Sequence, residues 1–448
     1  MKLHYTDPAI RPLLFQGQFG LEKESLRIYR NDGRMAQTLH PFDNPHIVRD
    51  FAENQTEINT GIHRSWQSAR AECERLTRFI ETRLFRQNEM LWPFSNPPII
   101  DFEEQIPMLE SDDQASMDYR QYLANRYGRR KMTYCGIHYN FSFLPQLIDA
   151  EYDQYCADSS KQEKVSRKDF QDSFYLELTK KAIWYGWILN VLFNSSPLYD
   201  GSLFDDQEKG KTHFAGTSSM RNGIMGYWNF FTPSFDFSSM DAYTRSIENY
   251  VQIGLLKAPR ELYYPVRLKP AGSYSMDNLR NEGADHIELR ILDLNPYEIS
   301  GIARDDAWFA HLFLIYIACL DDVELNPRQQ MYAIHNFKSA CALPLSSGRI
   351  LFELEQSMNL KDAAMQFLED MASFFTRLGT PESALCVKRQ MRKIEREETQ
   401  LHSSRIRMDF PAFFAEGVKY SRLLQQRAMH QDYSDKIPAE RSDAFRSI

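Results

Sequence analysis

Residues 21–28, 51–60, 133–143 and 285–294 alternate side-chain character with period two and are bounded by Gly, Pro, Asn or Asp, which predicts four β-strands. That period sends successive side chains to opposite faces of a strand. Within 286–291 the split is clean: Ile287, Leu289 and Ile291 back onto a core, while His286, Glu288 and Arg290 face away. The same rule groups Glu22 with Glu24, Glu53 with Gln55 and Glu57, and His138 with Asn140 and Ser142. Each predicted strand has one polar face.

A polar face on one strand is the ordinary state of an antiparallel sheet that meets solvent. A lone histidine such as His138 is likewise more often a hydrogen-bonded structural residue than a ligand. Four such faces in one sheet would mean more. Glu22, Glu24, Glu57 and Glu288 would converge with His138, and like charges that close repel or raise one another's pKa unless cations lie among them. Oxygen ligands with a single imidazole favour Mg²⁺ or Mn²⁺ over zinc. A hard-ion cluster beside an arginine suggests phosphate chemistry, in which cations neutralise a transferring phosphoryl group.

Between the strands, 66–90 (Ala69, Cys73, Leu76, Ile80, Leu84), 169–193 and 302–320 carry helical period and are expected to cover the sheet. Beyond about residue 321 the chain reads as almost wholly helical and charged, with helices expected at 361–378, 383–403 and 411–429. No repeat or low-complexity linker divides the parts. The expected architecture is α+β, with a catalytic unit over 1–320 and a helical C-terminal segment, 321–448, packed on it as a layer rather than an independent domain. Residues 431–448 are expected to be loosely ordered.

Charge and cysteine usage narrow the function classes. With 53 basic and 61 acidic side chains the net charge is −8, and the densest basic run, 388–396, is interrupted by Met391, Ile394 and Glu395, so no nucleic-acid partner is expected. The apolar stretches 184–193 and 312–320 are too short to span a bilayer, and the N-terminus has no apolar run behind a basic start. A soluble, cytoplasmic protein without a membrane partner is expected. Its six cysteines form no C-x-x-C pair, which argues against a disulfide framework or zinc knuckle. Gly210-Lys211-Thr212 ends like a phosphate loop, but Asp205 stands where that loop needs Gly; there is no G-x-S-x-G, H-E-x-x-H or G-x-G-x-x-G. Any nucleotide is therefore bound in an unusual way.

Six ordered blocks carry a resemblance: 20–27 (GLEKESLR), 50–60 (DFAENQTEINT), 119–128 (YRQYLANRYG), 136–142 (GIHYNFS), 261–267 (ELYYPVR) and 287–296 (IELRILDLNP). Together, over about 20–302, the chain resembles the bacterial glutamate–cysteine ligase family. The resemblance implies a curved antiparallel sheet forming an active-site cup, covered by helices. It also implies that ATP activates the γ-carboxylate of glutamate as an acyl phosphate, from which the α-amine of cysteine displaces phosphate. By position, Glu22, Glu24, Asp50, Glu57, His138 and Glu288 would be ligands of more than one Mg²⁺ or Mn²⁺ ion. Arg290 would meet the transferred phosphoryl group, and Arg221, in Ser219-Met220-Arg221, would bind a substrate carboxylate through its planar fork. Phe51, Tyr119, Leu123, Tyr134, Tyr227, Tyr263 and Arg267 would complete the substrate pocket. Such a mechanism requires no nucleophilic side chain, so Cys135 is not read as one despite its closeness to His138.

One block departs from the family. Met132-Thr133-Tyr134-Cys135 stands where the family often reads Q-x-I-S, so a phenol replaces a small aliphatic residue at the acceptor wall. A γ-glutamyl ligase with another amino acid or amine as acceptor is therefore an alternative, and an ATP-dependent phosphotransferase is a second. A non-catalytic binding protein would be expected to have lost carboxylates at the metal positions, and all are present.

Overall fold

The computed structural model describes residues 1–111, 113–158, 164–353 and 356–430. The notional loose tail at 431–448 lies outside them. Among the described residues the strands are β1 (Gly17–Tyr29), β2 (Ile47–Arg49), β3 (Gln55–Asn59), β4 (Glu89–Trp92), β5 (Gly136–Phe143), β6 (Leu198–Asp200), β7 (Thr212–Phe214), β8 (Val266–Pro270), β9 (Ala284–Asp293), β10 (Arg349–Leu351) and β11 (Ser357–Asn359). Seven of them form one antiparallel sheet in the order β2-β3-β1-β5-β9-β8, with β4 also paired to β1. The other four form two small hairpins.

The long strand β1 organises the sheet. Its first half pairs with β5 and its second half with β3 and then β4, so Glu22 lies opposite His138 and Glu24 opposite Glu57. Strand β5 continues the sheet to β9, with Asn140 opposite Glu288. Register shifts between Ile137 and Tyr139 and between Lys269 and Pro270 mark irregularities that bend strands locally. Buried inside the sheet, Arg27 and Glu89 pair at 2.8 Å with no exposure of either side chain.

Helices α1 (Trp66–Phe85), α2 (Gln114–Tyr127), α3 (Pro145–Ala157), α4 (Arg167–Tyr185), α5 (Trp187–Phe193), α6 (Met240–Gln252), α7 (Met276–Glu282) and α8 (Arg304–Ala318) surround the sheet. The apolar stripe of α1, including Ala69, Cys73, Leu76 and Ile80, is buried, and its Ser65 cap accepts from the Ser68 amide. Beyond its charged first turn helix α8 is largely apolar, and it is almost wholly buried. None of the described helices is long and apolar enough to cross a membrane.

After Leu320 come α9 (Pro327–Ser339), α10 (Leu360–Arg377), α11 (Pro381–Glu395), α12 (Glu397–Gln400), α13 (His402–Asp409) and α14 (Phe413–Met429). They pack onto the earlier elements. A Cβ on Gly417 of α14 would meet the Trp92 ring at 2.4 Å. At the start of α8, the buried Asp306 accepts from Lys393 at 2.5 Å and pairs with His402 at 2.6 Å. Burial alone would raise the Asp306 pKa, but Lys393 and His402 outweigh it and hold the group well below the usual carboxylate range.

Several expected boundaries are corrected. The strand expected over 51–60 begins only at Gln55, leaving Asp50 and Phe51 in the turn that follows β2. The strand expected from 133 begins at Gly136, after a single 3₁₀ turn at Lys131–Thr133. The helix expected over 66–90 stops at Phe85, and Glu89 with Met90 belongs to β4. Residues 169–193 form two helices that meet at Gly186, and 383–403 falls across three.

Candidate active site

The polar faces do meet. His138 Nδ1 lies 2.7 Å from Glu22 Oε2 and 3.3 Å from Glu288 Oε1, while its Nε2 lies 3.6 Å from Glu24 Oε1. One ligand atom from each of Glu22, His138 and Glu288 can be chosen so that all lie within 4.8 Å of one another. Asn140 donates to Glu22 Oε1 at 3.0 Å, and the Gly136 amide donates to Glu24 Oε2 at 2.9 Å. Arg290 donates to Glu288 Oε1 at 2.8 Å, and Lys269 Nζ stands 3.6 Å from the other oxygen.

Above this floor opens a cleft. Glu22, Glu24, Asp50, Glu57 and His138 line it on the acidic side; Phe51, Tyr119, Leu123, Tyr134, Tyr227 and Tyr263 form its walls; Arg221, Arg267 and Arg290 reach it as well. Glu288 alone of the expected residues lies beneath the surface, with no exposure, and reaches the cleft through His138 and Arg290. Tyr227 and Tyr263 pack with ring centroids 4.1 Å apart and planes inclined by 42°. Tyr134 is buried against Tyr199, Leu203 and Met220 while also lining the cleft.

The electrostatics divide the floor into two zones. Burial raises the Glu288 pKa, but Lys269, Arg290 and Arg267 together outweigh it and hold the group well below its ordinary value. Burial and then Asp50 push Glu24 up to about 8, and burial, Asp50, Glu22 and Glu24 push Glu57 well up. Burial and then Arg290 lower His138 to about 4, so its imidazole is neutral at pH 7 and free to act as a ligand. Burial raises Asp50 as well, so Glu24, Asp50 and Glu57 resist ionisation beside a neutral imidazole, a donor set that a hard divalent cation would relieve. Among the described residues, Glu288 Oε2 and Asn140 Oδ1 are buried without a hydrogen-bond donor. The residues present therefore fit such an ion, and Glu22, His138 and Glu288 could hold it, with Glu24, Asp50 and Glu57 lining the same cleft.

Arg221 is set from behind. Its guanidinium donates to the carbonyls of Arg290 at 3.2 Å and Leu292 at 3.4 Å, and Asp293 Oδ1 stands 3.9 Å away. Asp293 is itself held by the Ser195 amide at 3.0 Å and the Ser196 hydroxyl at 2.7 Å. Burial and then Glu24 push the Cys135 thiol well up, which leaves it protonated and unreactive.

Not every residue on a predicted polar face reaches the cleft. Glu53 precedes β3 and turns away, accepting from the His40 amide at 2.7 Å, Arg49 at 2.7 Å and the Glu110 amide at 3.1 Å. Gln55 points toward the Tyr134 carbonyl, and His286 lines a separate, smaller cavity. Conversely, Ser116, Arg120, Met132, Arg260, Lys269 and Tyr274 line the cleft without having been anticipated. Arg267 and Lys269 stand two apart on β8, so the period-two rule could have found Lys269; the proline that follows it obscured the strand.

The sequence profile described as Glutamate-cysteine ligase matches residues 4–340. The chain is 37% identical over 410 residues to the glutathione biosynthesis bifunctional protein GshAB of Listeria monocytogenes, covering 88% of this chain and 52% of that one. It is 29% identical over 406 residues to the protein of the same name from Clostridium perfringens, covering 87% and 51%. The chain thus spans about half the length of the curated relatives it matches. The crystal structure of a bifunctional glutathione synthetase from Pasteurella multocida superposes with a TM-score of 0.80 at 28% identity, covering 94% of this chain and 54% of that one. A glutamate–cysteine ligase from Francisella tularensis, solved in complex with AMP, shares the fold, with a TM-score of 0.81 at 21% identity over 93% and 90% of the two chains. With its polar sheet face, its cleft and three quarters of its length matched in this way, the chain belongs to the glutamate–cysteine ligase family.

Proposed function

We propose that the cleft joins the γ-carboxylate of L-glutamate to the α-amine of L-cysteine, with ATP converted to ADP and phosphate. A γ-carboxylate oxygen attacks the γ-phosphorus of ATP and ADP departs, leaving γ-glutamyl phosphate. The deprotonated amine then attacks the acyl carbon, and phosphate leaves with the former carboxylate oxygen. Mg²⁺ or Mn²⁺ ions held by Glu22, Glu24, Asp50, Glu57, His138 and Glu288 would neutralise charge on the phosphates. Arg290, fixed by its bond to Glu288, faces the transferring group; Arg221 binds a substrate carboxylate; the aromatic walls keep water from the acyl phosphate.

The observation that carries this reading is the meeting, in one cleft, of an acidic floor that fits hard cations, two ordered arginines and an aromatic chamber. Six free thiols, five of them buried, suit a reducing compartment such as the cytoplasm. The test is ADP release and product mass with glutamate and a panel of amines. Slow release with glutamate alone and faster release with cysteine, giving γ-glutamylcysteine, is the expected result. Rapid release with glutamate alone and no amide product would favour a phosphotransferase. Tyr134 in the chamber wall keeps a second reading in play, in which the favoured acceptor is an amino acid other than cysteine.

A further inference from the structure

Arg221 holds its charge almost out of solvent, at 7% exposure. The acceptors that its guanidinium reaches are neutral: the carbonyls of Arg290 at 3.2 Å and Leu292 at 3.4 Å, and the side-chain oxygen of Asn222 at 3.3 Å. A buried cation served only by neutral acceptors is costly, so a counter-charge is expected close by. Among the described residues one carboxylate pairs with Arg221, that of Asp293, whose Oδ1 stands 3.9 Å from Nη1. Arg221 is in turn the one cation that pairs with Asp293 among them. Register explains how they meet. Asp293 ends β9 opposite Gly136 of β5, and because Gly136 has no Cβ the guanidinium fills the space beside it.

The two oxygens of Asp293 are held differently. Oδ2 accepts from the Ser195 amide at 3.0 Å and the Ser196 hydroxyl at 2.7 Å, and Ser196 Oγ lies 3.0 Å from Ser219 Oγ. Oδ1 is buried and accepts no hydrogen bond. One oxygen clamped and the other left to face a guanidinium is the arrangement of a fixed counter-charge. The segment that carries Arg221 hangs on the same strand: the Ser219 hydroxyl accepts from the Asn222 amide at 3.0 Å, and Asn222 Nδ2 donates to the Ile291 carbonyl at 2.7 Å, two residues before Asp293. On the ligase reading Glu24, bonded to the Gly136 amide, turns to a cation, which leaves Asp293 to oppose the Arg221 charge.

We propose that Asp293 is a positioning residue for Arg221, its fixed charge setting the guanidinium at the angle from which the planar fork meets a substrate carboxylate. This rests on the ligase reading, in which Arg221 binds such a group. In Asp293→Asn the amide oxygen can keep the bonds from Ser195 and Ser196, which turns the NH₂ group toward the guanidinium, donor against donor. Shape is kept while attraction becomes repulsion, and a displacement of about 1 Å at a group that orients substrate has a large kinetic effect.

The experiment measures kcat and KM, with glutamate, cysteine and ATP varied in turn, for wild type, Asp293→Asn, Arg221→Lys and the double variant. Ser196→Ala, which removes one of the two bonds on Oδ2, is the milder companion and takes over if Asp293→Asn does not fold. Asp293→Asn should raise the KM of one amino acid about tenfold, leaving the KM for ATP within about twofold and kcat within about threefold. That amino acid should be the one whose KM Arg221→Lys also raises. The double variant should be within about twofold of Arg221→Lys, because both defects act through one guanidinium. Ser196→Ala should raise the same KM by less. Defects that multiply in the double variant overturn the inference, as does a KM for ATP that rises in step with that of the amino acid. So does an unchanged amino-acid KM in whichever of Asp293→Asn and Ser196→Ala fold. If Arg221→Lys alters the KM of neither amino acid, the role given to Arg221 in the ligase reading fails, and the inference falls with it.

Discussion

A Cβ placed on Gly136 would fall 2.4 Å from Cζ and 2.4 Å from Nη2 of Arg221, so the first residue of β5 and the guanidinium of Arg221 occupy adjoining space with no room for a side chain between them. The same Gly136 donates its amide to Glu24. One backbone position thus spaces the Glu24 carboxylate and the Arg221 guanidinium.

The clash at Gly136 is with the far end of a flexible side chain, so Gly136→Ala should fold and displace Arg221 rather than the strand. The expected result is a KM about tenfold higher for the amino acid whose carboxylate Arg221 is proposed to bind, with kcat changed less. Arg221→Lys, which keeps the charge and loses the fork, should give a defect of the same kind. A large fall in kcat with unchanged KM in Gly136→Ala would contradict this division of roles.

Glu22→Gln and Glu288→Gln should each lower ATP-dependent activity by at least about a hundredfold, because on the proposed reading each removes a ligand charge where phosphate charge develops. Chelation of divalent cations should abolish wild-type activity. Glu288→Gln has a second consequence, since Arg290, Lys269 and Arg267 lose the carboxylate they face. Activity measured across a Mg²⁺ titration separates the two: Glu22→Gln should be partly rescued by excess metal, and Glu288→Gln should not.

Much of this floor was legible because period two assigns faces without knowledge of pairing. Glu22, Glu24, Glu57, His138, Glu288 and Arg290 all lie where alternation put them. Alternation failed at Glu53, which sits one turn before the strand begins, and nothing local distinguishes it from Glu57. The short strands β2, β4 and β8 were missed because three to five residues carry too little period, and their pairing to β1, β3 and β9 is a tertiary fact. The arginines contributed by α2 and the 259–261 turn could not be placed, since no sequence rule says which loops fold back over a sheet face.

Outside the site, Glu81 of α1 is buried behind β4, accepting from Gln425 at 2.9 Å, and burial pushes its pKa up to about 8 from an ordinary 4.5. The folded state therefore holds a proton that the unfolded chain releases above pH 4.5. Its stabilising effect is complete below about pH 4.5 and is lost as pH rises toward 8. Glu81→Gln keeps the shape and removes the titration. The Tm of the variant relative to wild type should rise by about 2–4 °C between pH 5 and pH 8. A Tm difference independent of pH would show that Glu81 ionises normally in the folded protein.

Tyr134 tests what sets acceptor choice. Its ring lines the cleft and packs against Tyr199, Leu203 and Met220, and burial pushes its phenol pKa up, so the hydroxyl stays protonated and able to donate. A ring at this wall removes volume that an aliphatic residue would leave open. The site should therefore prefer acceptors of cysteine size or smaller, such as alanine, serine or 2-aminobutyrate, over longer aliphatic amino acids. Tyr134→Ile should narrow that preference by about tenfold, in line with the 1–3 kcal/mol that a pocket wall gains or loses per methylene. Some stability will go with it, about 1–3 kcal/mol, because the ring also fills space among Tyr199, Leu203 and Met220. The KM values for glutamate and ATP should hold, since Arg221 and the acidic floor are untouched. Ranking the same acceptors by kcat/KM in both proteins decides the matter: an unchanged order in a destabilised variant would assign Tyr134 to packing alone.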